Sequence, residues 1–404
     1  MTPRTLASLA RVAAVVIFVT VPPFLVAAFA LELRRDLGLS DALIGAFMTV
    51  YFLVVAVLSP WAGGKVDTLG HRVGMRIAIG GVGAALLLAA LVPGGAAFLM
   101  GALIVAAAVH AFSHPSINKS LVESVPPERM GIAFGIKQAA VPAASFVAAT
   151  SFALVGDRVG WRPVFAVIGL LALPLLVWWS AMAAGPAPAN PRQAPSTTPT
   201  GATPAAVRRD LALLAIAFAV SIGAIHAVAV FAIPASEAIG VDPRRAAWSL
   251  SIASAAAAGM RLLLGAFVDR LPDPNPDLLL RIAAGAVFVG ALSIGMLTVA
   301  GPTWLVSLLL GLGIAAGWSW TGIFVLAVVR RYDGRVGHAS GSVQTGLFVG
   351  SALSPLVFGA IMQSRSPAAA WAWSSALLAL GACLLYLRAH AASVEEFLSP
   401  DTQS

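Results

Sequence analysis

The sequence predicts an all-α polytopic membrane protein: twelve spanning helices in two six-helix bundles related as parallel repeats. Three observations predict this. Apolar residues make up 59% of the 404 positions and charged residues 10%, against roughly 45–50% and about 25% in soluble proteins. That apolar share supplies twelve segments of about 20 residues, the length that crosses a bilayer core. Short motifs recur half a chain apart, and a polar stretch rich in proline and threonine lies near the midpoint. This composition excludes a soluble enzyme, a disordered scaffold and a secreted disulfide-rich domain. Cys383 is the single cysteine, so there is no disulfide framework and no Cys-based zinc site. The net charge of +8 is no nucleic-acid signal, because the cations are scattered singly between apolar runs.

Apolar windows between polar breaks place the helices at 11–31, 41–62, 74–92, 96–118, 131–155, 163–183, 210–236, 246–267, 278–299, 303–328, 338–362 and 368–388. The first is too long for a secretory h-region and is expected to be an uncleaved membrane helix broken in its middle by Pro22-Pro23. With the N-terminus inside, 16 basic residues fall on the inner side and 7 on the outer. Both termini are therefore expected to be cytoplasmic. Pro186–Ala206 has too few large apolar side chains to fold and reads as a linker. The expected organisation is a bundle over 1–185, a linker over 186–207, a second bundle over 208–390 and a tail over 391–404.

Two pairs of motifs support the repeat. Gly63-x-x-x-Asp67-x-Leu69 returns as Gly265-x-x-x-Asp269-x-Leu271. Arg129-x-Gly131-x-Ala133-x-Gly135-x-x-Gln138 returns as Arg335-x-Gly337-x-Ala339-x-Gly341-x-x-Gln344. The first pair follows the second helix of each half and the second pair precedes the fifth. Six helices per half give the halves one orientation, and transporters built in this way hold substrate near the midplane between them.

All 17 acidic residues fall in loops, tails or helix ends. Because ionisable groups inside a membrane are costly and functional, the missing mid-membrane carboxylate argues against an organic-cation site. Polar and cationic groups do occur there. His110, His114 and Asn118 share one face of the fourth helix at i, i+4 and i+8. The i, i+4 spacing also suits metal ligands, but no carboxylate or cysteine joins the pair, so no metal or other cofactor is expected. Lys137 and Gln138 lie about two turns into the fifth helix, His226 near the middle of the seventh, and Arg261 in the eighth. A lysine in hydrocarbon must snorkel, pair, deprotonate or meet an anion. Arg261 is expected to snorkel or to pair with Asp269, and the histidines either form structural hydrogen bonds or line a substrate or proton path. Glu32 and Glu237 end the first and seventh helices as solvated groups or an external gate.

These residues resemble the major facilitator superfamily over essentially the whole chain. Gly63-Gly64-Lys65-Val66-Asp67-Thr68-Leu69-Gly70-His71-Arg72 is similar to its signature motif, although Thr68 stands where a basic residue is usual. Gly259–Arg270 carries the second copy, and Gly160-Trp161-Arg162 is a further familiar element. A looser similarity to bacterial small-anion carriers lies in Gly135-Ile136-Lys137-Gln138 and in Gly317–Arg331. The resemblance implies a gate at the inner face: Asp67 against the start of helix eleven, Asp269 against the start of helix five. Gly63 and Gly265 would allow close approach, with Arg72, Arg129, Arg270 and Arg335 as ion-pair candidates. It also implies that the first and fourth helices of each half line the cavity. The repeat then sets Trp320 and Phe324 opposite His114 and Asn118, an aromatic wall facing a basic one.

The sequence therefore points to a secondary transporter working by alternating access. Its expected cargo is a small, carboxylate-like anion coupled to protons or to anion exchange. His110, His114, Asn118, Lys137, Gln138, His226, Trp320 and Gln344 are the candidate binding residues. No phosphate-binding loop of the Gly-x-x-x-x-Gly-Lys-Ser/Thr kind is present, so ATP is not used directly. A proton-linked efflux pump for amphipathic compounds is the rival on the same fold, and a polytopic enzyme using the His110/His114 pair the remote one. The expected partners are the lipid bilayer and a small molecule, with no nucleic acid, and the chain is expected to act as a monomer. Three lysines against 22 arginines and a high alanine content suit a GC-rich bacterial genome and hence an inner membrane.

Overall fold

The computed structural model describes residues 3–124, 130–181, 205–268, 270, 275–299, 301–332 and 336–398. These residues form helices and turns, with no strand among them. Twelve helices are long and apolar enough to cross a membrane. We label them α1 (Leu9–Ala28), α2 (Asp41–Leu69), α3 (His71–Leu91), α4 (Ala96–Leu121), α5 (Gly135–Gly156), α6 (Trp161–Ala181), α7 (Ala205–Val230), α8 (Pro243–Val268), α9 (Pro276–Met296), α10 (Thr303–Arg331), α11 (Gly341–Ser364) and α12 (Pro367–His390). Most of the expected linker, 182–204, lies outside the described residues, and the helix of α12 continues to Leu398, into the stretch assigned to the tail.

Two local expectations change. The Gly63–Leu69 motif is not a loop, because α2 stays helical to Leu69 and ends only at Gly70, whose φ of +84° favours a residue without Cβ. Pro22 and Pro23 do not break α1, which is helical to Ala28 and turns at Phe29 before a short helix, Ala30–Leu37. Prolines break other helices through the carbonyl four residues earlier. Pro115 interrupts α4 between His110 and Ser113, Pro174 interrupts α6 at Leu171, and Pro234 ends α7 at Val230, with Ala232–Glu237 following. α10 breaks at Trp320 without a proline. There the Ser319 hydroxyl and the Trp320 indole N–H donate to the carbonyls of Ala316 and Gly317, in competition with the backbone ladder. The first and fourth helices of each half are thus all interrupted, as α6 is too, and such breaks expose backbone groups beside a midplane site.

Twelve spans put both ends of the described chain on one face. The described contacts between the halves concentrate toward the opposite face. There the Thr49 hydroxyl donates to the carbonyl of Ala352, and Ala42 N–H donates to Gln363 Oε1 at 3.3 Å. Arg244 Nε donates to the Ala153 carbonyl at 2.7 Å, and the Thr150–Ser251 and Ser145–Ser254 hydroxyls meet at 3.2 and 3.1 Å. Gly45 packs so closely on α11 that a Cβ would lie 2.8 Å from Leu356 Cα. Trp161 and Arg162 fix the first half at the same face. The Trp161 indole N–H donates to Asp36 at 2.9 Å, and Arg162 caps the α3 carbonyls of Ala89 and Ala90 while lying over the Trp161 ring.

On the face that carries the termini, the described ion pairs stay within a half. Asp210 of α7 receives bonds from Arg388 of α12 and from the Tyr332 hydroxyl, and Arg331 of α10 reaches both Asp210 (3.4 Å) and Asp277 (2.6 Å). Burial and the bond to Asp210 push the Tyr332 phenol above its ordinary value. This network joins four helices of the second half. Asp210→Asn should therefore lower its stability by about 1–3 kcal/mol, since it takes the charged acceptor from the half-buried Arg388 guanidinium, while Arg331 keeps Asp277. A reduced thermal unfolding midpoint in detergent would register the change.

Candidate functional site

The interruptions of α4 and α10 flank a cavity of about 60 Å³ between the halves. That is room for roughly four water-sized groups at about 15 Å³ each. Thr20, Phe24, Phe52, Val55, His110 and His114 line it from the first half together with Gln138 and Val141, and Ile222, His226, Arg261, Thr321, Gln344, Leu347 and Phe348 from the second. Its walls are mostly apolar, with a few convergent polar groups, as binding sites are. Among these lining residues no carboxylate occurs and Arg261 is the only arginine or lysine.

Arg261 is 5% exposed and does not snorkel. Its Nε donates to the Trp318 carbonyl at 2.7 Å and one terminal nitrogen donates to the Gln138 carbonyl. It joins no ion pair among the described residues. A guanidinium carries five N–H donors, so three remain for a ligand after these two bonds. α8 can bury it because Ala253, Ala257 and Arg261 lie on one face at i, i+4 and i+8, with Ser254 beside them, and that face packs against α5 and α10. Arg261 is the site residue that sequence reasoning missed. The helical face shared with small residues was the signal that could have found it.

The imidazoles sit opposite. His110 is buried, its Nδ1 is 2.9 Å from the Tyr51 hydroxyl, and its Nε2 has no hydrogen-bond partner. The His114 ring stacks on it with centroids 5.4 Å apart. His226 bonds through Nδ1 to Ser351 at 2.7 Å, and packs between Phe52 and Trp318. Gln138 and Gln344, the repeat-related glutamines, both reach the cavity.

The remaining candidates lie elsewhere. Lys137 Nζ donates to Asn118 Oδ1 at 2.6 Å, and neither residue lines the cavity. Trp320 does not reach the cavity either. It is fully buried against Phe218 and Phe324, because its indole N–H is turned back to the Gly317 carbonyl of its own helix. The expected aromatic wall of Trp320 and Phe324 is therefore internal packing, and the rings that face the cavity are Phe24, Phe52 and Phe348. The Asp67 side chain is 79% exposed and lies 4.0 Å from Lys119; the residues just before α11 lie outside the described ones. Gly63 and Gly265 have nothing within 4 Å of a Cβ position, so no close helix approach occurs at either. Arg72 and Arg270 are exposed, and Arg129, Asp269 and Arg335 lie outside the described residues.

A family model described as Major Facilitator Superfamily matches residues 7–355. The chain belongs to the major facilitator superfamily. It is accordingly an integral membrane transporter and not an enzyme. No curated protein matches the sequence. Among solved structures, a bacterial homolog to the human lysosomal transporter Spinster, in an inward-facing and unoccupied conformation, is similar to it. That likeness covers 96% of this chain and 98% of the other, with a TM-score of 0.69 and 14% sequence identity, so it concerns the fold.

Proposed function

We propose that this major facilitator protein carries a small, carboxylate-like anion by alternating access, from a cavity in which Arg261 supplies the counter-charge. One observation carries the reading: a buried guanidinium with free N–H donors lines a site whose described lining has no acid. A buried cation without an anionic partner is strongly disfavoured, and a carboxylate relieves that cost through paired N–H···O bonds. Gln138 and Gln344 offer amide donors beside it. We assign the counter-ion role to Arg261 rather than to Lys137 because Arg261 lines the cavity and Lys137 does not.

In this reading the termini are cytoplasmic, the membrane is a bacterial inner membrane, and the functional unit is a monomer. The contacts toward the opposite face close the outer side, which makes this the inward-facing state. Asp67 is then exposed because its gate contact with α11 belongs to the outward-facing state. Asp67→Asn should slow uptake several-fold, about 1 kcal/mol at a helix N-terminus, with normal expression. Initial rates in proteoliposomes would measure this.

The test of function is uptake by proteoliposomes of labelled mono- and dicarboxylates, inorganic anions and lipophilic cations, under imposed pH and voltage gradients. Uptake of small carboxylates is expected. Transport of cations with anions ignored would overturn the proposal.

A further inference from the structure

On the face that carries the termini, away from the cavity between the halves, His71, Arg72, Val73 and Arg76 of α3 meet Ser180 of α6 around an open concavity of about 510 Å³. No carboxylate occurs among its described lining residues. Arg76 Nε donates to Ser180 Oγ at 3.2 Å, and neither arginine joins an ion pair among the described residues. Behind them the buried Trp179 packs edge-on against His71, with ring centroids 6.5 Å apart, and the Arg11 guanidinium lies 5.3 Å from the centre of the Trp179 ring. Three guanidinium groups thus gather at one corner of the first half. We propose that this concavity binds the phosphate headgroup of an anionic phospholipid, with an acyl chain lying along the groove between α3 and α6. The site is independent of the cargo. With the termini cytoplasmic, the lipid belongs to the cytoplasmic leaflet.

α3 by itself disfavours these cations. Arg72 lies in its first turn, where the helix dipole opposes positive charge. Arg72 and Arg76 are like charges at i and i+4, which repel on a helix surface. No acid stands in that turn and no side chain caps it. α9, the third helix of the second half, differs at the same place. It starts with Asn275 as cap and Asp277 in its first turn, and Asp277 pairs with Arg331 at 2.6 Å. There the chain supplies its own anion. A signal for topology needs basic charge near the end of a span, but it does not need two arginines on one face of it beside a concavity. Arginine forks suit phosphate oxygens, and basic pockets between helices at this level of a membrane take lipid headgroups.

The shape below the arginines selects a lipid over a soluble phosphate. Arg72, Arg76, Gly80, Ala84 and Leu88 follow one another along α3 at four-residue steps, so they share a face. Ala84 and Leu88 are exposed, and a Cβ at Gly80 would lie 3.9 Å from Leu176 Cδ1 of α6. Leu173 and Val177, also exposed, flank the seam from α6. The small side chains at 80 and 84 leave a groove that begins at the arginines and runs about 12 Å from Arg76 to Ala84 into the hydrocarbon. A phospholipid fills the concavity and the groove together, whereas a soluble phosphate fills the concavity alone.

Native mass spectrometry of the wild-type protein, titrated with phosphatidylglycerol and with phosphatidylcholine of the same chains, would test the proposal. One phosphatidylglycerol should bind at concentrations at which phosphatidylcholine does not. In the double variant Arg72→Gln/Arg76→Gln its affinity should fall about tenfold or more. Arg208→Gln/Arg209→Gln removes the same charge from the exposed start of α7 on the same face, and should keep the wild-type affinity. Glycerol 1-phosphate in large excess should not displace the lipid. Phosphatidylglycerol with a diazirine in its acyl chain should cross-link to α3 and α6 of the wild-type protein, a result that needs no variant to fold. Equal affinity for both lipids, equal losses in the two double variants, displacement by glycerol 1-phosphate, or cross-links spread over the second half would each overturn the inference.

Discussion

Replacing Arg261 by glutamine should reduce carboxylate transport by about 10- to 150-fold, the loss of about 1.5–3 kcal/mol that hydrogen bonds to a charged group contribute. The side chain binds the Trp318 and Gln138 carbonyls as well as facing the cavity, so it also ties α8 to α10 and α5. A fall in rate alone would not separate lost binding from a loosened bundle. Arg261→Lys makes that separation. It keeps the charge but not the fork that reaches two carbonyls and a carboxylate together. The lysine variant should retain more of the transport, with a raised KM, and the glutamine variant should stay within the larger reduction at every concentration. Thermal unfolding midpoints of both variants would report any structural loss directly.

The second large effect is expected at Gly45. Its Cβ position lies 2.8 Å from Leu356 Cα and 2.9 Å from the Pro355 carbonyl carbon, and backbone atoms cannot swing aside as a side-chain tip can. Gly45→Val should therefore act as a wedge between α2 and α11. Overpacking of this kind costs about 1–3 kcal/mol. The cost falls on the state in which these helices touch and not on one in which the halves part there, so it biases the equilibrium between states by roughly 5- to 150-fold. Transport should fall to a similar degree while the protein remains folded. The readout is labelling of Thr49→Cys by an impermeant maleimide in a Cys383→Ser background. Thr49 donates to the Ala352 carbonyl across this closure. Labelling should be slow with Gly45 present and fast with valine in its place.

Hydropathy located the twelve spans because each must be apolar over the full thickness of a bilayer, whatever it packs against. Local breaks were harder to read. Pro22-Pro23 signalled a break that did not occur, whereas Pro115 produced one beside His110. A proline reports two lost backbone interactions, and packing decides whether the helix bends there. The apolar window of the second helix ends at 62, ahead of the signature motif, yet Gly63–Leu69 completes α2.

The site was legible in part. The histidines, Gln138 and Gln344 meet at the cavity, since their positions along the helices fix their depth. Lys137 and Trp320 lie off the cavity and Arg261 lines it for a shared reason: depth along a helix is legible in the sequence and direction around it is not. Arg261 is two turns from the end of α8, close enough to snorkel, but it projects from the small-residue face that packs against α5 and α10. Trp320 was placed by its repeat partner His114, but the break in α10 turns its ring onto Phe218.

The most direct measurement of the central claim is a crystal of the wild-type protein grown with dichloroacetate, examined at long wavelength for chlorine anomalous scattering. The account predicts one anomalous peak in the cavity, with the carboxylate in hydrogen-bond contact with the Arg261 guanidinium. A chlorine peak only elsewhere, or an empty cavity at a dichloroacetate concentration that blocks [14C]pyruvate uptake, would contradict it.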